Sequence, residues 1–295
     1  MSEIDALQRS LIAYFDILGY ADYVQKLKNP EEEQEFFNII NECVKKVYGE
    51  IHASFYFIEE MYSNYPLFSF SHRKFEYKIK GFSDNFIIAI PLLSIPSGIV
   101  EKYIMMFFSL LFEIQSNLII RYSLFIRGAV VIDDIYISDE FVYGKGLIKA
   151  YNLENTIAIY PRIVIDQEVI YEFKINDFYG NLYDIFGKFY KQDFDRIKFL
   201  NYMNSSIKIN GIPSNYYSEF VWGKNIRGEK IIDHKKAIID KLNQYYKNPK
   251  ILQKYLWVLN YHNSYILENK DEIPEYEKYL IKKTDLCDYF ASFDI

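Results

Sequence analysis

The chain has 295 residues, half of them hydrophobic, and its formal net charge is −6. This length predicts one main domain with an extension, and the apolar content is sufficient for a sizeable core. The acidic balance argues against a general nucleic-acid binder, and no apolar run reaches the roughly 18 residues that a membrane span requires.

The N-terminal part of the chain is predicted to form a strand and then a helix. Residues 11–15 carry no charge and are typical of a short buried strand, after which Gly19 permits a tight turn. Residues 31–51 have apolar side chains at helical spacing, which predicts a helix. Residues 55–73 are aromatic and irregular, and we interpret them as an insertion.

A hairpin and a long helix are predicted next. Residues 77–79 and 85–90 predict two strands, and the stretch at 81–84, which ends in Ser-Asp, predicts the turn that joins them. Residues 99–119 are largely apolar over many turns, which predicts a helix.

Another strand, a helix and a final strand follow. Residues 123–132 predict a strand, and the aspartate pair at 133–134 is expected to end it in a turn before a short strand at 135–137. Residues 141–153 begin at a turn and predict a helix, and residues 163–165 predict a further strand.

The predicted order contains a βαββαβ unit, which is the ferredoxin-like split arrangement. The C-terminal part differs, because residues 228–267 predict two helices that are separated at Asn248-Pro249. The sequence therefore predicts an α+β fold whose C-terminal helices pack onto the core.

Two aspartates stand at predicted strand ends, although they are distant in the chain. Asp16 follows the first apolar strand, and Asp84 lies in the hairpin turn. The βαββαβ order brings these positions together, and close carboxylates repel unless a cation lies between them. Mg²⁺ is the simplest candidate, with the backbone carbonyl of Ile17 as a further ligand. The alternative is that Asp16 caps the next helix and Asp84 only shapes a turn.

The residues after Asp16 predict a phosphate site. Leu18, Gly19 and Tyr20 form a turn at the start of the next helix, and backbone N–H groups in such a turn suit a phosphate. A metal beside this turn would bring in the phosphates of a nucleotide.

Four motifs in this order resemble those of the class III nucleotidyl cyclases. Residues 15–20, Phe-Asp-Ile-Leu-Gly-Tyr, are similar to that family's F-D-I-x-G-F strand end. The hairpin KIKGFSDNFIIAI at 78–90 offers the second metal-binding aspartate, and RGAVVIDDIYISDEFVYGKGLIKAYNLEN at 127–155 matches a later strand, glycine turn and helix. YPRIVIDQEVI at 160–170 is similar to the strand and helix that come next. The resemblance covers residues 10–175.

The resemblance implies a homodimer with active sites at the subunit interface and a nucleoside triphosphate as substrate. Asp16 and Asp84 would hold two Mg²⁺ or Mn²⁺ ions per site. One ion would activate the ribose 3′-hydroxyl for attack on the α-phosphate, and the other would assist the departure of pyrophosphate. Residues 1–225 would form the catalytic domain, and residues 226–295 would form a C-terminal helical extension packed on it.

Within the family, the chain most resembles the bacterial pyrimidine cyclases of anti-phage signalling, the Pycsar subgroup. FIRGAVVIDDIY at 125–136 and QKYLWVLNYHNSYI at 253–266 are similar to that subgroup. The likeness implies cyclic UMP or cyclic CMP, made from UTP or CTP, as a second messenger. The base-reading positions of purine cyclases align with Lys80 and Phe141. The aromatic ring would narrow the pocket toward a pyrimidine and Lys80 would donate to a base carbonyl, unless Lys80 is an ordinary solvated strand residue.

One part of the family pattern is absent. The Asn and Arg that stabilise the transition state in adenylate and guanylate cyclases align with Ile148 and Asn152. Another cation would have to replace them, and Arg127 is the first candidate, because an Arg in an apolar strand needs an anion nearby. Lys149 is the second. The alternative for Arg127 is an ordinary ion pair with an acid such as Asp133.

Other interpretations stay open. A purine cyclase of the same fold and a degenerate, non-catalytic homologue are both alternatives. Cys43 and Cys287 are far apart in the chain, which argues against a disulfide scaffold or zinc site and fits a reducing cytoplasm. We therefore expect a cytoplasmic protein with no membrane and no nucleic-acid partner. His234 and His262 are expected to be structural hydrogen-bond partners.

Overall fold

A computed structural model describes residues 6–63, 77–94, 100–175, 189–204 and 226–292. The strands are β1 (Gln8–Ile17), β2 (Lys78–Phe82), β3 (Asn85–Pro91), β4 (Ile126–Ile137), β5 (Val142–Tyr143), β6 (Ile163–Ile165), β7 (Tyr190–Gln192) and β8 (Lys198–Leu200). The helices are α1 (Tyr20–Val24), α2 (Pro30–Ser63), α3 (Val100–Tyr122), α4 (Lys145–Thr156), α5 (Gln167–Ile175), α6 (Ile226–Tyr245) and α7 (Pro249–Glu268).

The strands form one sheet in the order β2-β3-β1-β4-β6-β8-β7, and β5 pairs with β4 outside this path. Neighbouring strands are antiparallel except for the parallel pair β4–β6. The predicted α+β class is confirmed, with a mostly antiparallel sheet. Strand β1 lies between β3 and β4, so that Asp16 is opposite Asn85 on one side and Arg127 on the other.

Side chains alternate between the two faces of the sheet and build two cores. Leu11, Ala13 and Phe15 of β1 join a large core that takes in residues of α2, α3, α6 and α7. Ile12 and Tyr14 point to the opposite face, where a smaller core lies beneath α4. Since α6 and α7 share the large core with the sheet, they pack on it directly. The division of the chain at residue 225 stays a prediction.

Several predicted elements have different bounds in the structure. The first long helix continues to Ser63, into the stretch that we interpreted as an irregular insertion, because residues 52–63 contain no glycine or proline to stop it. Residues 64–73 of that stretch lie outside the described residues. The turn expected at 133–134 is wrong, since both aspartates pair with β1 and β4 continues to Ile137.

The start of α4 was also misplaced. Val142 and Tyr143 form the short strand β5 against β4, so the helix begins only at Lys145 and ends at Thr156. Gly144 before it has φ 137°, and a Cβ there would lie 2.9 Å from the Cα of Ile135. This close approach requires glycine and ends β5. Strands β7 and β8 were not predicted.

Helix α7 is fixed to the sheet by aromatic side chains near its start. The ring of Tyr255 meets that of Phe125 edge-on at 5.2 Å, just before β4. The indole of Trp257 stacks on Tyr160 at 5.8 Å and donates its N–H to Asp193 at 2.6 Å. The N-terminal half of α7 is therefore held beside the start of β4.

Within the described ranges, the structure has no helix that is both long and apolar enough to cross a lipid bilayer.

Two histidines form a buried chain of hydrogen bonds between α6, α7 and the C-terminal segment. His234 Nδ1 lies 2.9 Å from His262 Nδ1, and His262 Nε2 lies 2.9 Å from the carbonyl oxygen of Tyr279. Since a carbonyl only accepts, His262 Nε2–H donates to it, His234 Nδ1–H donates to His262, and the Tyr202 hydroxyl donates to His234 Nε2 at 2.9 Å. In this arrangement both imidazoles are neutral, and a proton on His262 Nδ1 would remove the acceptor of the His234 Nδ1–H.

This chain predicts acid sensitivity. Burial lowers the pKa of His262 to about 4, and burial and the neighbouring His262 hold the pKa of His234 well below its ordinary value. Both folded-state values lie below the unfolded value of about 6.5, so the stability from the neutral pair is complete above that pH and falls as pH drops toward 4. Between pH 7 and pH 5 we expect a loss of about 2 kcal/mol per histidine in the free energy of unfolding.

Urea unfolding at both pH values measures this loss. In His262→Gln the amide keeps both hydrogen bonds without titrating, so the loss should be smaller by about 2 kcal/mol. His52→Gln, on the exposed side of α2, is the matched control and should lose as much as the wild type. An identical loss in all three proteins would contradict this account.

Candidate functional site

Asp16 and Asp84 lie side by side at one end of the sheet. The backbone N–H of Ile17 donates to the carbonyl oxygen of Asp84 at 3.1 Å, which joins the end of β1 to the β2–β3 turn. Burial raises the pKa of Asp16, and the negative charge of Asp84 raises it further. The structure thus brings together the two aspartates that the sequence placed at strand ends.

Neighbouring polar side chains hold Asp84 in place. The side-chain amide of Asn85 donates to Asp84 Oδ1 at 2.9 Å, and the hydroxyl of Tyr14 donates to Asn85 Oδ1 at 2.5 Å. The pKa of Tyr14 is raised by burial and by the carboxylates around it, so this hydroxyl keeps its proton at neutral pH. The chain from Tyr14 to Asp84 fixes the orientation of one carboxylate.

Arg127 contacts two acids, Asp16 opposite it in the β1–β4 ladder and Glu154 on α4. Its Nε lies 3.1 Å from Asp16 Oδ1 and its Nη2 lies 3.2 Å from Asp16 Oδ2. The same Nε lies 2.7 Å from Oε1 of Glu154 on α4. The anion expected beside Arg127 is therefore present, but it consists of Asp16 and Glu154 rather than Asp133.

Glu154 is buried beside this pair, with 3% of its surface exposed. Its Oε1 accepts no hydrogen bond from the described residues, because the Nε–H of Arg127 is directed to Asp16. Burial raises the pKa of Glu154 to about 7, and the charge of Asp16 adds to the rise, which Arg127 only partly offsets. Near neutral pH this carboxyl is partly protonated.

Asp16 and Glu154 contact the guanidinium of Arg127, and the charge of Asp84 acts on both of these acids, so the acids outnumber the guanidinium here. The described residues form no group of three or more His, Cys, Asp or Glu that could hold a metal by themselves. Mg²⁺, however, commonly takes only one or two protein carboxylates and completes its shell with water and substrate phosphates. Asp16 and Asp84, both acidic oxygen ligands next to Ile17, fit an ion of that kind that arrives with a nucleotide.

The turn after Asp16 is built around a left-handed glycine. Gly19 has φ 79° and ψ 14° and precedes α1, which is only five residues long. The N–H of Leu18 already donates to the carbonyl of Phe125 at 2.8 Å, so it is not available to a phosphate. This leaves Gly19 and Tyr20 as the candidates in the predicted phosphate turn.

Lys149 does not lie with the aspartates. Its ammonium donates to Asp166 and to Glu168, each at 2.9 Å, and these partners raise its pKa against the lowering effect of burial. Of the two cations that we considered for the transition state, only Arg127 is in contact with Asp16.

Lys80 and Phe141 come together at one turn. The ammonium of Lys80 donates to the carbonyl of Ser138 at 3.3 Å and to that of Asp139, in the turn that leads to Phe141. The ring of Phe141 is 55% exposed and tilts against Tyr136 at 5.2 Å. Lys80 is thus tied to a backbone turn instead of being an ordinary solvated residue.

Besides Tyr14 and Asn85, two further residues near the aspartates were missed. Glu154 follows Gly146 and Ala150 at four-residue steps, and these three share the buried face of α4, a signal that was readable in the sequence. Lys254 on α7 gave no such signal, because only the tertiary fold brings its charge near Asp16 and Glu154.

No protein-family model matches the chain, and no curated protein matches it. Among solved structures, the chain has a likeness to the adenylyl cyclase CyaB from P. aeruginosa, with 17% sequence identity and a TM-score of 0.31. The likeness covers 58% of this chain and 83% of that chain. At this TM-score it carries no argument, so the function is argued from the geometry of the chain.

Proposed function

We propose that the chain is a nucleotidyl cyclase of the class III type, which converts a nucleoside triphosphate into a 3′,5′-cyclic nucleotide and pyrophosphate. The observation that carries the proposal is the contact between the end of β1 and the β2–β3 turn, which sets Asp16 beside Asp84. Together with Glu154 they give a surplus of acid that a divalent cation would neutralise.

The order of the first strands supports the same proposal. Elements β1, α2, β2, β3, α3 and β4 follow one another, and their strands lie in the order β4-β1-β3-β2 with antiparallel neighbours. A split βαββαβ unit would have its elements in such an order. We therefore propose a ferredoxin-like cyclase core in residues 1–225, with residues 226–295 as a helical extension.

Asp16, Asp84 and the backbone of Ile17 would hold Mg²⁺ or Mn²⁺. Two such ions, when bound, supply the activation of the ribose 3′-hydroxyl and the neutralisation of phosphate charge. Tyr14 and Asn85 orient Asp84 through their hydrogen bonds.

Arg127 has the central role among the chain's own groups. Its two contacts to Asp16 fix that carboxylate. Its positive charge would stabilise the negative charge that grows on the phosphates in the transition state. Burial lowers the pKa of Arg127, but Asp16 outweighs this and raises it, so the guanidinium stays charged.

Exposed apolar side chains support a homodimer with the site at its interface. Phe82, Phe141, Tyr143, Ile148 and Tyr151 are each about half exposed or more, and they lie on β2, β5, α4 and the turn between β4 and β5. We propose that these side chains belong to one apolar surface, which is the kind of surface that meets a partner.

For the base, we propose a pyrimidine, with UTP or CTP as substrate and cyclic UMP or cyclic CMP as a messenger in anti-phage defence. Lys80 fixes the turn that carries Phe141, so a bulky ring stands at a defined place beside the sheet. An aromatic side chain there would narrow a base pocket.

A second candidate is a degenerate cyclase that binds nucleotides without turnover. The observation in its favour is that Arg127 already occupies both oxygens of Asp16, the carboxylate that a metal would need. A metal and Arg127 would then have to share this acid.

A turnover assay tests both candidates. Purified protein is incubated separately with ATP, GTP, CTP and UTP in Mg²⁺ or Mn²⁺, and products are identified by mass. We expect a cyclic pyrimidine monophosphate that is absent in Asp16→Asn. A cyclic purine monophosphate as product would support the cyclase activity and overturn the assignment of a pyrimidine base. Nucleotide binding without product would favour the degenerate homologue.

A further inference from the structure

The C-terminal helices reach the end of the sheet where Asp16 lies. Tyr255 of α7 packs on Phe125, whose carbonyl accepts the N–H of Leu18 at the glycine turn. At the neighbouring end of α6, the ring of Tyr245 stacks on Tyr255 at 5.8 Å and lies beneath the ammonium of Lys26 at 5.4 Å. The first turns of α7 therefore border the β1–α1 turn.

One lysine on this part of α7 has no counter-ion. Lys254 precedes Tyr255, is half-buried, and makes no ion pair or hydrogen bond within the part of the chain that the structure describes. The positive charge of Lys254 lowers the pKa of Asp16 and of Glu154. The charges of Arg127 and Lys250 lower the pKa of Lys254 itself, and that of Asp22 on α1 raises it. Burial is the main cause that lowers its pKa.

We propose that Lys254 binds the triphosphate of the substrate. The C-terminal helical segment then completes the site from within the same chain. The proposal rests on the proposed cyclase function. A partly desolvated ammonium without a partner is unfavourable until an anion reaches it. Lysine suits a phosphate because its charge is compact and its three N–H donors rotate freely.

The charges of the site also favour a polyanion. Asp16, Asp84 and Glu154 outnumber Arg127 and Lys254 by one charge at most, so two bound divalent ions would more than neutralise this surplus of acid and leave the site positive. A triphosphate is the part of a nucleotide that carries enough negative charge to cancel this positive charge.

The position of Lys254 predicts different sides of the site for the phosphates and the base of the nucleotide. In the sheet order β2-β3-β1-β4, Asp16 stands between the β2 side, where Lys80 contacts the β4–β5 turn before Phe141, and the β4 side, beside which α7 packs. A nucleotide centred on Asp16 would thus extend its base toward β2 and its phosphates toward Lys254.

Calorimetric binding of inorganic tripolyphosphate in Mg²⁺ is the test, because it needs neither base nor turnover. Lys254→Gln should raise the dissociation constant roughly tenfold or more, and Lys254→Arg should restore most of the affinity. The matched control is Lys270→Gln, which removes the charge of an exposed lysine about 20 Å further along, past the other end of α7. It should bind as the wild type does.

Turnover gives a second readout. With the preferred nucleotide, Lys254→Gln should raise KM by a similar factor while kcat changes little, which a merely structural defect would not produce. Equal tripolyphosphate affinity in the wild type and Lys254→Gln, or no binding by the wild type, would overturn the inference. If the wild type bound tripolyphosphate through Lys254 but turned over no nucleotide, the anion site would stand and the proposed cyclase activity would be overturned.

Discussion

Asparagine at position 84 is expected to lower kcat/KM at least a thousandfold, equivalent to about 4 kcal/mol of transition-state stabilisation. Asp84→Asn keeps the size of the side chain and an oxygen that accepts from Asn85, but it removes the negative charge that would bind a metal. Steady-state kinetics with the preferred nucleotide in saturating Mg²⁺ measure the loss.

The same substitution should not unfold the protein. The charge of Asp84 raises the pKa of Asp16 and of Glu154, so its removal relieves repulsion, and the free energy of unfolding should be unchanged or higher. Asp134→Asn is the matched control, since Asp134 is an exposed acid of β4 at the other end of the strand and should turn over as the wild type does. Activity of Asp84→Asn within tenfold of the wild type would rule out the two-aspartate site.

Local patterns predicted the elements around the site better than those elsewhere. The charge-free run before Asp16 predicts a buried strand and the Ser-Asp pair before Asn85 predicts a turn, and both are present. Their bounds differ, because β1 extends over Gln8–Ile17 and β2 continues to Phe82. The pair Asp133-Asp134 has an equally strong turn signal but lies inside β4. Its side chains are at the sheet margin, so the backbone pairs with β1 at little desolvation cost.

Side-chain partners within the site could be predicted from the sequence only in part. Strand pairing brings Asp16 to Asp84, since β1 pairs with β3 directly after the β2–β3 turn. The partners of Arg127 could not be ranked from the sequence, because Asp16 and Glu154 are reached through strand register and helix packing. Lys254 of α7 comes near the site through a contact between distant parts of the chain, and local sequence periodicity does not predict such a contact.

Alanine at position 128 is expected to destabilise the fold by about 3 kcal/mol or more. Gly128 lies opposite Phe15 in the β1–β4 ladder, and a Cβ there would meet the carbonyl oxygen of Tyr14 and come within 2.6 Å of the Cβ of Phe15. Backbone cannot move aside as a flexible side chain does, so Gly128→Ala must separate the strands. Chemical unfolding, monitored by far-ultraviolet circular dichroism, measures the change.

The separation of β1 and β4 in Gly128→Ala should also alter the site, because Arg127 precedes Gly128 and would shift away from Asp16. Gly49→Ala is the matched control, because Gly49 lies within α2 and its Cβ would meet nothing within 4 Å. That substitution should stabilise the protein by about 0.5–1 kcal/mol, as alanine replaces glycine in a helix. Were Gly128→Ala to unfold within 1 kcal/mol of the wild type, strands β1 and β4 could not be as closely paired as the site requires.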